Sequence, residues 1–492
     1  MKQLLEMDQS TISGFRVATS IAEENKKKRV IILGAGVTGL SAGIRFLENG
    51  CDVCLVEKAE HVGGLAKTVV RGNYRLDIGP HHLASKNETI LHEMLTLFKK
   101  DELVPVSLKA KILFDERFLD YPLTARSVLS QMGLKNALLG SLSYILMGLR
   151  NLSGLSFKED NFKAWVRNHF GDYLYHIFFK PYTEQFWGIP CEEMSVDCIP
   201  QVTKSSFMQT LKRLFLKQFA EESLSIEHNQ SYKEVEIGNE KTENFYPAKG
   251  FGAVAEKLKD LFLSKGGVLR LNCDISELVI NENSTYTLNY SNGVESFKEE
   301  AVHVVSSIPL PGLFKILKPA PPAAVVHSAN SLKYLSTIVL YIVIHDRDIL
   351  DCAFLYMLDR PYKRISNTNR FHPNLCPEGE NMLACEITCF FNGEIWESSD
   401  EELFEKCIGH LESDKLISRE EVKQFFTVRV KHAYPFYRVG YRENLNAVFE
   451  YFKHIPNLAL AGRTGAFKYM AIDECMEDTA NLVEELKSEG TI

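Results

Sequence analysis

The 492-residue chain predicts an α/β fold in which a Rossmann-type dinucleotide-binding domain is interleaved with a substrate or cap domain of mixed sheet and helices. Three observations predict it. RVIIL, residues 29–33, is a short apolar strand that runs directly into Gly34-Ala35-Gly36-Val37-Thr38-Gly39. LSAGIRFLENG then has helical spacing and ends on Gly50, and the apolar run CDVCLVE follows and ends on Glu57. Further strand and strand–turn–helix patterns return only after long insertions, at 244–258, 302–310 and 457–486.

Each piece of the opening unit has a physical reason. Gly34 allows the tight turn, Gly36 lets backbone approach a pyrophosphate, and Gly39 lets the helix pack close to the strand. The helix N-terminus turns free N–H groups toward the phosphates. Glu57 ends the second strand where a carboxylate can take two ribose hydroxyls, which favours a plain ribose over a 2′-phosphate. Strand, loop, helix, strand and acid fall in the required order, which gives the motif its weight. Val37, Thr38 and Lys58 flank these positions and count among the expected cofactor contacts.

Gly63-Gly64 follows Glu57 after six residues, with Leu65 behind it, and YRLDIGPHHLASK comes next. This pattern resembles the FAD-binding signature of the amine oxidase and protoporphyrinogen oxidase group of flavoproteins, in the form called GR2-like. The resemblance implies FAD: the second glycine pair lets the chain pass beside the diphosphate and ribityl, and Gly79, Pro80 and His81 continue that path. NFYPAKGFGAVAEKL (244–258) looks like the group's re-entry segment, and GGVLRLNCDISELVI (266–280) reads as paired strands. In the family, backbone near the position of Ile275 contacts the adenine. NLALAGRTGAFKYMAIDECMEDTANLVEEL (457–486) is a strand, a glycine turn and a long helix. There the resemblance implies that Gly462, Arg463, Met470, Ala471 and Ile472 lie along the diphosphate and the pyrimidine edge of the flavin.

The expected organisation is an N-terminal extension (1–27), a first FAD-binding part (28–105), a mainly helical cap or substrate region (106–243), a second FAD-binding part (244–310), a substrate-domain sheet (311–430) and a C-terminal FAD-binding part (431–492). Two stretches narrow the resemblance. FKPYTEQFWG (179–188) and AYPFYRVGYRENL (433–445), followed by GRTGAFKY, look like a bacterial, glycan-associated branch similar to UDP-galactopyranose mutase. On that resemblance Tyr182, Trp187, Tyr434, Tyr437 and Tyr441 are substrate-wall candidates, and a core role explains each aromatic equally well. The catalytic candidates are His81, His82, Arg463 and Tyr469. An imidazole that titrates near neutrality suits tuning of the flavin, although the two histidines would also simply close the loop over the ribityl.

Two departures from the mutase pattern stand out: Phe467 and Ala471 replace a tyrosine and an acid. VDCIPQVTKSSF (196–207) also lacks an arginine for a diphosphate, leaving Arg364, Arg438 and Arg442 as unplaced substitutes. The function expected is an FAD-dependent oxidoreductase acting on a small polar metabolite, a sugar or sugar nucleotide. A redox-neutral, reduced-FAD-dependent nucleotide-sugar pyranose–furanose mutase is the alternative. A binding protein without catalysis, as in Rab GDP-dissociation inhibitors on the same fold, is the third reading.

Composition bounds the setting. The chain is 45% apolar and 24% charged, and a formal net charge of −8 argues against a nucleic-acid surface. Residues 1–25 lack the apolar core of a secretory signal, so the expected location is cytoplasmic. The uncharged run NALLGSLSYILMGL (136–149) is too short to span a bilayer. It reads first as a core helix and leaves room for peripheral membrane contact. The eleven cysteines have no repeating spacing, and Cys51 and Cys54 should face opposite sides of a strand, so no metal is expected. The expected partner is a small-molecule substrate, and nothing in the sequence names an oligomeric state.

Overall fold

A run of β-branched and aliphatic residues with no polar interruption belongs at the centre of a sheet, and Arg29–Leu33 is buried over its last four positions. It lies in a five-stranded parallel sheet of order 268–270, 52–56, 29–33, 303–306, 458–460. The computed structural model describes residues 27–121, 133–198, 235–237, 240–242, 244–345, 347 and 349–492. Most of the N-terminal extension and the 199–207 part of VDCIPQVTKSSF therefore lie outside the described residues.

Side-chain alternation divides this sheet between two cores. Val30, Ile32, Val53 and Leu55 pack with the opening helix, Val37–Glu48, whereas Ile31, Leu33, Cys54 and Val56 face the other way. Cys51 falls in the first core and Cys54 in the second, as the spacing predicts.

The second body is a seven-stranded mixed sheet of order 422–435, 334–345, 380–389, 364–367, 354–357, 110–114, 117–121. Its strand Tyr334–His345 is buried at every position except His345. Ile338, Leu340, Cys385 and Ile387 pack under Leu403, Cys407 and Leu411 of the helix Asp400–Ser413. Val339, Tyr341 and Ala384 on the opposite face share the core of the opening helix. One face of this sheet is thus seated on the dinucleotide unit.

The described part of the region expected to be mainly helical carries the helices Leu134–Leu152, Phe162–Leu174 and Lys180–Trp187, and its hairpin Ala110–Phe114 with Arg117–Tyr121 extends the large sheet. Two expectations are corrected. The strand Val422–Pro435 runs through the expected boundary at 430, since a proline is tolerated at a strand end. The run 136–149 is helical, within Leu134–Leu152, yet Leu138, Leu142, Ile145, Leu146 and Leu149 are exposed rather than core. Among the described residues no helix is long and apolar enough to cross a membrane.

Candidate active site

The glycine loop forms a cradle of backbone. Gly34 has φ +100°, in the region that favours glycine. A Cβ on Gly39 would stand 1.9 Å from the Gly34 carbonyl oxygen, so only glycine lets the helix start this close to the strand. The second glycine pair lies against the first loop: Gly63 N–H donates to the Ala35 carbonyl at 2.9 Å, and a Cβ on Gly64 would meet the Gly36 Cα at 3.3 Å. The opening helix begins at Val37 with no side-chain cap and no acidic residue in its first turn. Its end is therefore a donor array open to an anion.

Glu57 pins the rim of this cradle. Its carboxylate accepts the Ala35 N–H at 2.7 Å and the Ala59 N–H at 2.8 Å, with lone pairs left for ribose hydroxyls. Lys58 pairs with Asp274 at 2.8 Å at the surface, which brings the strand carrying half-buried Ile275 to the same edge. From the C-terminal side, Gly462 closes on the helix start. A Cβ there would lie 2.2 Å from Thr38 Oγ1, and the Gly462 N–H is held by Asp478 at 3.0 Å. Met470 is buried, and Ala471 gives its N–H to Glu474 at 2.7 Å just before the helix Ile472–Ser488.

These residues fit FAD. Three loop glycines, an uncapped helix N-terminus, a rim carboxylate and a second glycine pair meet at one place, and each glycine that a Cβ would block faces backbone or a neighbouring side chain. Glu57→Gln is expected to weaken FAD binding roughly ten- to a hundredfold, the scale of one or two charge-assisted hydrogen bonds. Fluorescence titration of the apoprotein with FAD measures it. Unchanged affinity would restrict Glu57 to holding the loop.

A polar cluster occupies the face of the large sheet that meets this unit. Arg364 and Glu386 are direct cross-strand partners, with Nε–Oε1 at 2.6 Å and Nη2–Oε2 at 3.0 Å. Lys363, only 3% exposed, places Nζ 3.6 Å from Glu386 Oε2 and donates to Tyr434 Oη at 3.2 Å. Arg463 lies against two tyrosine rings, its guanidinium carbon 4.5 Å from the Tyr434 centroid and 4.4 Å from that of Tyr469. Those two rings stack at 5.9 Å and 8°.

Burial pushes the Lys363 ammonium down to about 8 against the pull of Glu386. Burial would raise Glu386, but Arg364 and Lys363 beside it hold its carboxyl below the ordinary value. The glycine turn 78–80 reaches this cluster, since a Cβ on Gly79 would stand 3.7 Å from Glu386 Oε2.

His81 stacks on Phe251 at 4.8 Å, and burial pushes it down to about 4. The expectation of an imidazole titrating near neutrality is corrected: His81 is neutral at physiological pH. Its Nδ1 lies 3.1 Å from the Gly79 carbonyl, which can only accept, so Nδ1 carries the proton and Nε2 presents a lone pair. Half-buried His82 precedes Leu83, whose backbone bonds to Phe245.

The tyrosines and tryptophan divide. Tyr434 and Tyr469 meet Arg463, and Tyr182 reaches the cluster edge through Tyr356, edge-on at 5.9 Å. Trp187 is 8% exposed among Phe186, Phe436 and Tyr437, a core residue rather than a substrate wall. Tyr437 is also structural, accepting the Tyr469 N–H at 2.7 Å. Tyr441 opens the helix Tyr441–Lys453 and donates to Asp197. Arg438 is paired with Glu193, and Arg442 with Asp197.

Lys363 and Glu386 were not among the expected site residues. A signal existed for Glu386, a lone carboxylate inside the apolar run MLACEITC, because a buried charge requires a partner.

Residues 37–477 match the family described as flavin containing amine oxidoreductase. Among curated proteins, the chain is 40% identical over 53 residues to 1-hydroxycarotenoid 3,4-desaturase of Flavobacterium sp. (strain P99-3), covering 11% of each chain. It is 32% identical over 95 residues to 4,4'-diapophytoene desaturase (4,4'-diapolycopene-forming) of Methylomonas sp, covering 18% of each. The matches thus span between about a tenth and a fifth of those relatives. Among solved structures, reduced UDP-galactopyranose mutase superposes with a TM-score of 0.76 at 18% identity, over 95% of this chain and 97% of that one. A putative protoporphyrinogen oxidase from Exiguobacterium sp. 255-15 gives 0.71 at 17% identity, over 94% and 99%.

Proposed function

We propose, from the premise that this chain belongs to the flavin containing amine oxidoreductase family, that it oxidises a small polar metabolite of the sugar or sugar-nucleotide class. The protein is an FAD-dependent enzyme. When bound, FAD supplies the redox centre, and the chain supplies orientation and electrostatics around it.

The observation that carries the reading is the buried Lys363–Glu386–Arg364 cluster with Arg463 at the junction of the two bodies. A hydrocarbon substrate would leave those charges without compensation in a low-dielectric site. A polar, hydroxyl-rich substrate can hydrogen-bond with them, while Tyr434 and Tyr469 offer ring faces and hydroxyls to position it. Neutral His81, with its proton on Nδ1 toward the Gly79 carbonyl, is suited to accept a hydrogen bond at Nε2.

The pyranose–furanose mutase remains the second reading, favoured by the grouping of Arg463, Tyr434 and Tyr469. Against it, Arg438 and Arg442 are engaged by Glu193 and Asp197 instead of standing free for a diphosphate. A cytoplasmic setting belongs to the same proposal.

The test is a visible spectrum of the purified protein followed by a panel of UDP-, dTDP- and GDP-sugars, with and without dithionite. Bleaching by a substrate without dithionite, reversed by an acceptor, is the expected result. Isomerisation only after dithionite reduction would replace it with the mutase.

A further inference from the structure

The helix Leu134–Leu152 packs with the wrong side for a helix that faces water. At 3.6 residues per turn, Asn136, Gly140, Ser143, Met147 and Asn151 share one side, and Leu138, Leu142, Leu146 and Leu149 share the opposite one. The polar and small side is the one that meets the helix Phe162–Leu174. Asn136 Oδ1 accepts the Tyr173 hydroxyl at 2.6 Å, Ser143 Oγ accepts the Tyr173 N–H at 2.9 Å, and Asn151 donates to the Asn168 carbonyl at 2.7 Å. A Cβ on Gly140 would stand 3.4 Å from Leu174 Cδ2, so the two helices lie close there. The leucine side is left outward. Leu138, Leu142, Leu146 and Leu149 are each more than half exposed, and Ile145 and Leu152 extend the strip. A surface helix normally does the reverse, and a contiguous apolar strip of this kind marks a surface that is covered in use.

Charge distinguishes the occupant. From Tyr121 to Lys158 the sequence contains Arg126, Lys135, Arg150 and Lys158 and no Asp or Glu, in a chain with 64 acidic and 56 basic side chains. Exposed Lys135 stands on the leucine side at the start of the helix, and exposed Arg150 on its flank at the end. Residues 136–149 between them are uncharged. The strip is thus aliphatic along its length and cationic at both ends. A second copy seated on the same face would set these cations against each other with no carboxylate to answer them. An anionic bilayer interface meets both features, because acyl chains take the leucines while lipid phosphates take the ammonium and the guanidinium. The helix is not long and apolar enough to cross a membrane, so it lies along the surface.

We infer that this protein docks on an anionic lipid surface through the helix Leu134–Leu152, with the leucine side among the acyl chains and Lys135 and Arg150 at the headgroups. No residue of this side belongs to the glycine cradle or to the Lys363 cluster, so docking is separate from the reaction and independent of which substrate is oxidised. The helix beneath it continues through residues 175–179 into Lys180–Trp187, which carries Tyr182 toward Tyr356. The docked element is therefore part of the cap rather than of the FAD unit.

The test is co-sedimentation of the whole, FAD-loaded chain with vesicles of phosphatidylcholine alone and of phosphatidylcholine mixed with phosphatidylglycerol. At low salt, partition onto the mixed vesicles is expected to be at least tenfold stronger than onto the neutral ones, and to weaken as salt is raised. The double variant Leu142→Gln/Leu146→Gln is expected to bind mixed vesicles at least tenfold more weakly. Its flavin-to-protein absorbance ratio and its melting temperature without vesicles are expected to be unchanged, because both side chains are exposed. Lys135→Gln is expected to lose about fivefold on mixed vesicles and nothing on neutral ones, the worth of one cation near an anionic surface. A parent protein that sediments with neither vesicle, or with both equally, would overturn the inference, as would a double variant that binds like the parent. A parent that binds no vesicle and is dimeric by sedimentation velocity, with a monomeric double variant, would show that a second copy covers the strip. A double variant that melts lower than the parent without vesicles would show that another part of this chain covers it.

Discussion

Gly39→Ala is expected to give a protein that purifies without flavin and binds added FAD at least a hundredfold more weakly. The new Cβ would sit 1.9 Å from the Gly34 carbonyl oxygen and 3.1 Å from the Gly34 carbonyl carbon, both backbone atoms that cannot rotate aside. The helix start must move away from the strand, and the phosphate-facing N–H groups move with it. Gly409→Ala is the control. It lies within the helix Asp400–Ser413 with open space around it, so alanine there is expected to be neutral or to stabilise by up to about 1 kcal/mol. The ratio of flavin to protein absorbance reads both variants. A Gly39→Ala protein that retains stoichiometric flavin would mean that the loop can rearrange without losing its cradle.

Asp77→Ala is expected to destabilise the protein by about 3 kcal/mol or more, because it strands several buried donors. Asp77 accepts from Thr68 Oγ1 at 2.5 Å, from the Tyr246 hydroxyl, and from the Phe251 N–H at 3.1 Å. Its own carbonyl accepts from the Tyr341 hydroxyl of the large sheet. One residue thereby ties the strand Tyr74–Asp77, the turn at 246–251 and the second body together. Burial pushes its carboxyl up to about 6, with the Thr68, Tyr246 and Phe251 hydrogen bonds pulling the other way.

The sign of the pH effect follows. Between about pH 4 and 6 the folded state binds this proton and the unfolded state does not, so the contribution of Asp77 to stability falls as pH rises through that window. Relative to Asp77→Asn, the parent should therefore be favoured at pH 4 and lose about 3 kcal/mol of that advantage by pH 7. Urea unfolding of both proteins at pH 4, 5.5 and 7 measures it. A constant difference across the three pH values would show that Asp77 titrates normally.

The sequence made the FAD unit legible because its chemistry is local. The turn, helix start and rim carboxylate lie within residues 34–57, and backbone geometry forces glycine at Gly34 and Gly39 whatever surrounds them. The division of Cys51 and Cys54 between two cores likewise follows from the period of one strand. The substrate side behaved differently. Trp187 and Tyr437 have the same residue types and spacing as wall aromatics, and only packing against Phe436 and the 467–469 turn makes them core. The helix Leu134–Leu152 reads as core by composition, yet it presents its leucines outward because helix neighbours in the fold bury only part of its circumference.

The buried Lys363–Glu386–Arg364 cluster depends wholly on tertiary structure. Lys363 and Arg364 lie next to Glu386 through strand register, and Arg463 arrives from a turn about a hundred residues further on. A shift of one residue in the strand Glu380–Cys389 would send Glu386 to the opposite face, under the helix Asp400–Ser413. Sequence alone thus determined which cofactor the protein holds, since a cradle of backbone is written in contiguous residues. Whether Lys363 is solvated or buried against Glu386 was decided only where distant strands met, because that depends on pairing and burial and not on residue type.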